Sequence, residues 1–316
     1  MNIDKLNKYQ FKYRFMSDLE AELKKIPQAK RDAVKVVGLM YLSHDASDLV
    51  KLNKMVDDAA IQARRYSGST KERFAKEVVL GVLQDRSGEV DARLVSYDFS
   101  SSQVSDDLTK KIGRKIEANM ADPDMLMDLV VMYQRSFKNA QLNPYLNGHS
   151  RSGMGGILAD EHDGGKGELA PGAKPYPDDI MSFSALAERA RTLEADYGVR
   201  LGSLGVISCG SGCLESISAF LPKNGAAPGV AYLAVSEEVN EGASIAWMDS
   251  LSSRTSYDAK KVAVAMAETT FKDGSKPDPA RDDARHAEVK AVLKMSEAKA
   301  FFAATLDFSK QATALV

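Results

Sequence analysis

Val34-Lys-Val-Val-Gly-Leu-Met-Tyr-Leu42 is an apolar run interrupted only by Lys35 and Gly38, and the polar stretch Ser43-His-Asp-Ala-Ser-Asp48 follows it directly. A run this short, apolar at consecutive positions rather than alternate ones, predicts a strand buried on both faces. Beyond the polar stretch, Leu52, Met55, Ala59 and Ile61 recur at helical spacing. The unit therefore reads as strand, loop, helix.

The same unit returns along the chain. Val90 to Tyr97 predicts a strand, Ser105 to Met120 a helix, and Pro123 to Phe137 a second helix ahead of a strand at Leu142 to Leu146. After a glycine-rich break, Phe183 to Asp196 predicts a helix, Leu204 to Ser208 a strand, Cys213 to Phe220 a helix and Val230 to Val235 a strand. Strands alternating with helices predict an α/β fold, a mostly parallel sheet sandwiched between helices. Additional helices are expected at both ends. Residues 3 to 32 place Leu, Phe and Ile among Lys and Glu at helical spacing, an amphipathic leader broken near Pro27. Residues 258 to 299 carry Ala, Val, Met and Lys at the same spacing, interrupted at Lys276-Pro-Asp-Pro279. No internal repeat divides the 316 residues, so one domain over 1–316 is expected.

Composition narrows the function. With 44% hydrophobic and 27% charged residues the chain has the balance of a soluble globular protein. Forty-two basic residues against 44 acidic ones leave a net charge of -2, too even for a nucleic-acid groove or an anionic membrane surface to be the main partner. No run approaches the ~20 apolar residues of a membrane span, and Met1 to Gln10 lacks the apolar core of a signal peptide. The expectation is a cytoplasmic protein, or a mature form whose leader has been removed. Two cysteines four residues apart, Cys209 and Cys213, make no disulfide scaffold, and four histidines leave little material for structural zinc. A Cys-x-x-x-Cys pair without further ligands suits neither a metal nor a redox site. No metal site is expected.

In parallel sheets the loops after the strands' carboxyl ends build the site. Two of them stand out: Tyr145-Leu-Asn-Gly-His149-Ser-Arg-Ser-Gly-Met-Gly-Gly-Ile-Leu158 and Gly205-Val-Ile-Ser-Cys209-Gly-Ser-Gly-Cys-Leu-Glu215. Each puts a reactive side chain where a strand should end, followed by glycines that let backbone approach a substrate. A thiol at the mouth of a helix meets the positive end of its dipole, which favours the thiolate, and a histidine on the neighbouring loop can protonate a leaving group. Cys213, beside Leu214 and Ile217, is read as one turn into the helix and as packing. Cys209 sits on the turn.

Around these residues the chain resembles the clostripain family of cysteine peptidases, relatives of legumain, gingipains and caspases. Val36-Val-Gly-Leu-Met-Tyr-Leu-Ser-His-Asp45 with Leu52-Asn-Lys-Met55 is similar to that family's opening strand, its "YLAADN"-type loop and its "LNEM" helix. Leu204-Gly-Val-Ile-Ser-Cys209 followed by Glu215 is similar to "LGFDACLM…E", and Ser208-Cys-Gly-Ser-Gly212 resembles the "ACESGS" turn of legumain. Ala234-Val-Ser-Glu-Glu238 matches the "ASEE" strand end, and Ala304-Thr-Leu-Asp-Phe-Ser-Lys310 resembles the late "SAIDLSK" element. The resemblance covers most of the chain in order. It implies a caspase-like fold and a cysteine endopeptidase with Cys209 as nucleophile and His149 as acid and base.

Two departures bear on the site. The family usually has Gly after its histidine, where this chain has Ser150, whose amide would form the oxyanion hole together with that of Cys209. Relatives commonly carry an acid two residues before the cysteine, lining the pocket for the residue before the scissile bond, and here that residue is Ile207. Glu237 and Glu238 match the acidic strand end and are the alternative source of charge for a Lys or Arg side chain, or else a solvated strand end.

Ala159 to Asp179 is rich in Gly, Pro and Asp, with Lys166 and Lys174 expected to be exposed on a mobile loop. Relatives are cut in this interval during activation, which makes the two lysines candidate autocleavage sites. His162 in this loop is read as solvated, and His44 as a surface residue near the site. Asp45 and Asp48, or Asp160, Glu161 and Asp163, offer oxygen ligands for Ca²⁺ without an EF-hand pattern, so no cofactor is required and Ca²⁺ stays an alternative. Gly153-Met-Gly-Gly156 is too short for a dinucleotide fingerprint. Two functions remain: an endopeptidase acting on a peptide or protein, and a catalytically silent relative that binds a peptide or a regulatory partner protein.

Overall fold

Val36–Ser43 forms the expected strand, β1, with all eight residues buried. The computed structural model describes residues 1–43, 69–85, 92–99, 105–148, 156–158, 169–174, 180–208, 211–222, 227–236, 257–268, 290–298, 300 and 302. The helix expected over residues 52–61 lies outside them.

Seven further strands join β1: β2 (Val78–Asp85), β3 (Ala92–Asp98), β4 (Ser105–Asp107), β5 (Gln141–Gly148), β6 (Leu201–Val206), β7 (Val230–Ser236) and β8 (Lys290–Lys294). They form one sheet in the order β4-β3-β2-β1-β5-β6-β7-β8. The five central strands are parallel, while at the edges β3 pairs antiparallel with β2, β4 with β3 and β8 with β7. The fold is α/β, a mostly parallel sheet sandwiched between helices, as expected.

Strand periodicity sorts the core into two layers. On β1, Val37, Leu39 and Tyr41 face one cluster, and Val36, Met40 and Leu42 face the other. The first cluster lies under helices α1 (Ile3–Asn7), α2 (Phe15–Lys24), α6 (Pro123–Ser136), α7 (Phe183–Thr192) and α8 (Leu214–Ala219). Helices α4 (Ser69–Glu77) and α9 (Ala259–Glu268) cover the second through Phe74, Val262, Ala263 and Met266. Between α2 and β1 lies the short helix α3 (Gln28–Ala33). With both faces covered, the central strands can be apolar at every position.

Helix α6 is the pivot of the first layer. The Asp122 carboxylate accepts from the Asp124 N–H at 2.9 Å and Pro123 occupies the first turn, a start built from a cap and a proline whose missing N–H costs nothing there. Every residue from Met125 to Ser136 is buried, so α6 is a central helix, packed against the sheet and covered in turn by α2.

Pro144 sits in the middle of β5, a central strand, where it cannot donate to a ladder. Asn143, fully buried, makes up the link to β6: its side-chain oxygen accepts from the Ser203 N–H at 3.1 Å and from the Ser203 hydroxyl at 2.9 Å. The backbone register between β5 and β6 is confined to Tyr145↔Gly205 and Leu146↔Val206.

Four expectations are corrected. The break expected near Pro27 falls between α2 and α3, but residues 3 to 32 hold a second break, because residues 8–14 leave the helical path to meet α6 and residues 169–170. Residues 105 to 120 hold β4, one turn of helix α5 (Leu108–Lys111) and an irregular stretch in which Ile116 bridges Ala92, covering the sheet edge. In the expected helical region 258 to 299, Lys290–Lys294 is instead a strand on β7, its five residues too few for periodicity to separate strand from helix. Cys213 caps α8 rather than lying within it. The strand β2 was not expected, although Val78, Val79, Leu80, Val82 and Leu83 are buried.

Candidate active site

From β1 the chain steps to β2 on one side, then returns to build β5, β6 and β7 on the other. The order of strands therefore reverses between β1 and β5, the switch point at which open α/β sheets place their crevice, outside the carboxyl ends of the strands. At that edge β1 ends on Ser43 and β5 on Gly148, aligned with each other. A Cβ at Gly148 would collide with the Ser43 carbonyl, so only glycine lets the two ends approach this closely.

Small polar side chains collect at this edge. Asn147 is 3% exposed, and its carboxamide donates to the Ile207 carbonyl at 2.7 Å, crossing from β5 to the end of β6. The Ile207 N–H donates to the Leu146 carbonyl at 3.0 Å. Ser211 joins β6 to β7: its hydroxyl donates to the Val206 carbonyl at 2.6 Å and accepts from the Ser236 N–H at 3.1 Å. Gly212 N–H donates to the Ser236 carbonyl at 2.7 Å. The ends of β5, β6 and β7 are thereby tied to one another around the turn that leads into α8.

Two solved structures are similar to this fold. One is a secreted C11 cysteine protease from Bacteroides thetaiotaomicron, iotapain, with a TM-score of 0.54 and 10% identity over 84% of this chain and 67% of that one. The other is a secreted C11 cysteine protease from the same organism in complex with an irreversible peptide inhibitor, with a TM-score of 0.51 and 15% identity over 86% and 69%. This chain has the C11 protease fold. No family model matches its sequence, and no curated protein sequence is significantly similar.

On this C11 fold, β5 and β6 are the strands that His149 and Cys209 follow in sequence. His149, Ser150, Cys209, Glu237, Glu238 and Lys166 lie outside the described residues, as do His44, His162 and the acidic runs weighed for Ca²⁺. Ile207 is fully buried, in the apolar cluster with Met40, Tyr145, Ala234 and Met266. Cys213 is partly buried, with its Sγ 2.9 Å from the Ser216 hydroxyl. Among the described residues no group of three His, Cys, Asp or Glu is placed to hold a metal ion, and no helix is long and apolar enough to cross a membrane.

Part of the interval expected to be a mobile loop is anchored. Leu169 pairs with Tyr13, and the Ala170 N–H donates to the Lys12 carbonyl at 2.6 Å, because Leu169 has a hydrophobic cluster to join. Ala170-Pro-Gly-Ala173 then turns, closed by the Ala173 N–H donating to the Ala170 carbonyl at 3.0 Å, with Gly172 at a φ of +83° that favours glycine. Lys174, directly after this turn, is exposed.

The segment that receives Leu169 is fixed to α6 by buried carboxylates. The Tyr13 hydroxyl donates to Asp122 at 2.7 Å, the Tyr13 N–H to Asp128 at 2.9 Å, and the Tyr9 hydroxyl to Asp128 at 2.8 Å. Lys12 pairs with Asp122 at 2.7 Å, and Arg135, stacked on the Phe11 ring, donates to the Leu6 and Tyr9 carbonyls at 2.6 Å. Burial pushes the Asp128 carboxyl up to about 7 against the lowering effect of its two tyrosine partners, and it pushes the Tyr9 and Tyr13 hydroxyls upward too. The sequence reading missed Asn147, Ser211 and Asp128. For Asn147 and Asp128 the signal was a polar residue inside an apolar strand or helix pattern, while Ser211, in a turn, gave none.

Proposed function

We propose that the protein is a cysteine endopeptidase in which Cys209 is the nucleophile and His149 the general acid and base. One observation carries this reading: the strands that the two residues follow are hydrogen-bonded parallel neighbours ending at the same edge, in a fold shared with C11 cysteine proteases. The Cys209 thiolate attacks the carbonyl carbon of a peptide bond, and the N–H groups of Ser150 and Cys209 receive the developing oxyanion. His149 protonates the departing amine. It then takes a proton from the water that hydrolyses the thioester, which releases the acid and restores the thiolate beside protonated His149.

The substrate is a peptide or protein, and the reading assigns no cofactor to bond cleavage. Specificity for Lys or Arg is proposed to come from Glu237 and Glu238, since Ile207 brings no charge and is buried among apolar groups. Activation by autocleavage at Lys166 or Lys174 is proposed on the exposure of Lys174 beyond an anchored turn.

A peptidyl thiol-reactive probe tests the reading. Labelling of Cys209 that is lost in His149→Ala is the expected result. An unlabelled Cys209, or full-rate labelling without His149, overturns it and leaves the silent peptide-binding protein. Profiling a peptide library with and without Ca²⁺, on the wild type and on a Glu237→Gln, Glu238→Gln double variant, tests the pocket: an unchanged basic preference in the double variant removes the two glutamates from it.

A further inference from the structure

We infer that Asn147 is a positioning residue for the Cys209–His149 pair, its carboxamide holding the end of β5 to the end of β6 at the point where both segments leave the sheet. The inference rests on the peptidase reading. Asn147 lies two residues before His149, and its bonding partner Ile207 lies two residues before Cys209. A single side-chain hydrogen bond of 2.7 Å therefore spans the two segments that bear the reacting groups.

Stability alone does not account for the residue. A buried carboxamide is costly unless its hydrogen bonds are made, and an apolar side chain would fill a strand position at lower cost. Among the described residues, the Asn147 side-chain oxygen has no partner, and neither has the buried hydroxyl of Ser208, the residue between Ile207 and Cys209. Unmatched buried polar atoms are rare enough to need a reason. Of the several such atoms, these two lie within two residues of His149 and directly before Cys209 in sequence.

What the bond does is legible in Ile207. Both backbone polar groups of this residue are engaged by β5: its N–H donates to the Leu146 carbonyl at 3.0 Å and its carbonyl accepts from Asn147. Its side chain is fully buried beneath α9. The carboxamide adds an anchor from β5 on the Ile207 carbonyl to the one that the backbone bond gives its N–H. Near-attack geometry tolerates little displacement, since a misplacement of ~1 Å can cost ~10²-fold in rate.

The test compares the full-length wild type with Asn147→Leu, similar in shape and without a donor, both carrying Cys213→Ala so that thiol chemistry reports Cys209. Turnover is normalised to titrated active sites, which discounts misfolded protein, and the rate of Cys209 alkylation by iodoacetamide is followed against pH. The expected result is a fall in kcat of about 10- to 100-fold with KM changed by less than about threefold. The pH midpoint of alkylation should rise toward the ordinary thiol value of ~8.5, because a thiolate no longer held beside the imidazolium loses its stabilisation. Where Asn147→Leu does not fold, Asn147→Ser, whose hydroxyl is too short to span the gap, is read in the same way. Per-site kcat and an alkylation midpoint equal to wild type overturn the inference while leaving the peptidase reading intact. A wild type without Cys209-dependent cleavage overturns both.

Discussion

Ser211 and Ser236 are joined twice at the head of the candidate site: the Ser236 N–H donates to the Ser211 hydroxyl oxygen at 3.1 Å, and the Ser236 carbonyl lies 3.2 Å from that same oxygen. Both residues are buried, and the Ser211 hydroxyl also reaches the Val206 carbonyl at 2.6 Å. One hydroxyl thus stitches β6 to β7 just beyond Cys209.

Replacing it removes a donor from Val206 and an acceptor from Ser236 in a dry environment. Ser211→Ala is expected to cost about 1–3 kcal/mol in denaturant unfolding. Peptidase turnover should fall further than the folded fraction does. Equal stability to wild type would mean that water replaces the hydroxyl there.

Gly148→Ala tests the approach of β1 and β5. The added Cβ meets the Ser43 carbonyl, which is backbone and cannot turn aside. Overpacking of this kind costs about 1–3 kcal/mol, and the shifted strand end lies one residue before His149. A lower melting temperature and loss of turnover are expected together.

The two thiols separate by variant. Cys209→Ala should abolish peptidase activity, while Cys213→Ala, at the cap of α8 with its sulfur against Ser216, should keep most of it. His149→Ala should lose about 10²–10⁴-fold in rate, the usual contribution of general acid–base catalysis, and His162→Ala should be tolerated. Rates on one fluorogenic peptide check all four.

Asp128 is expected to make the docking of the amino-terminal segment depend on pH. Its carboxyl is raised to about 7 in the folded protein, above an unfolded value of ~3.9, so the folded state holds the proton more tightly between those values. The stabilisation is fully present below the unfolded value and is lost as pH rises through about 7. Asp128→Asn keeps an acceptor for the Tyr13 N–H and an amide for the Tyr9 hydroxyl, and it carries no charge. Its melting temperature should overtake that of the wild type as pH goes from ~5 to ~8, and parallel curves would show that Asp128 does not titrate there.

The strands β1, β3, β5, β6 and β7 and the helices α6 and α7 were readable in the chain because each buries a run long enough to show its period. That His149 and Cys209 each follow an apolar strand was also readable, and those strands, β5 and β6, are neighbours in the sheet. Five residues at Lys290–Lys294 were too few to tell strand from helix, and the second break in residues 3 to 32 was hidden because Tyr9, Lys12 and Tyr13 take their conformation from carboxylates more than 100 positions away. Local sequence determined the long core strands and helices and the order in which they follow one another. Only the tertiary structure decided that Asn147 faces the Ile207 carbonyl and that Ser211 bridges to Ser236, since a hydrogen bond between distant segments depends on register and strand order, which no local pattern encodes.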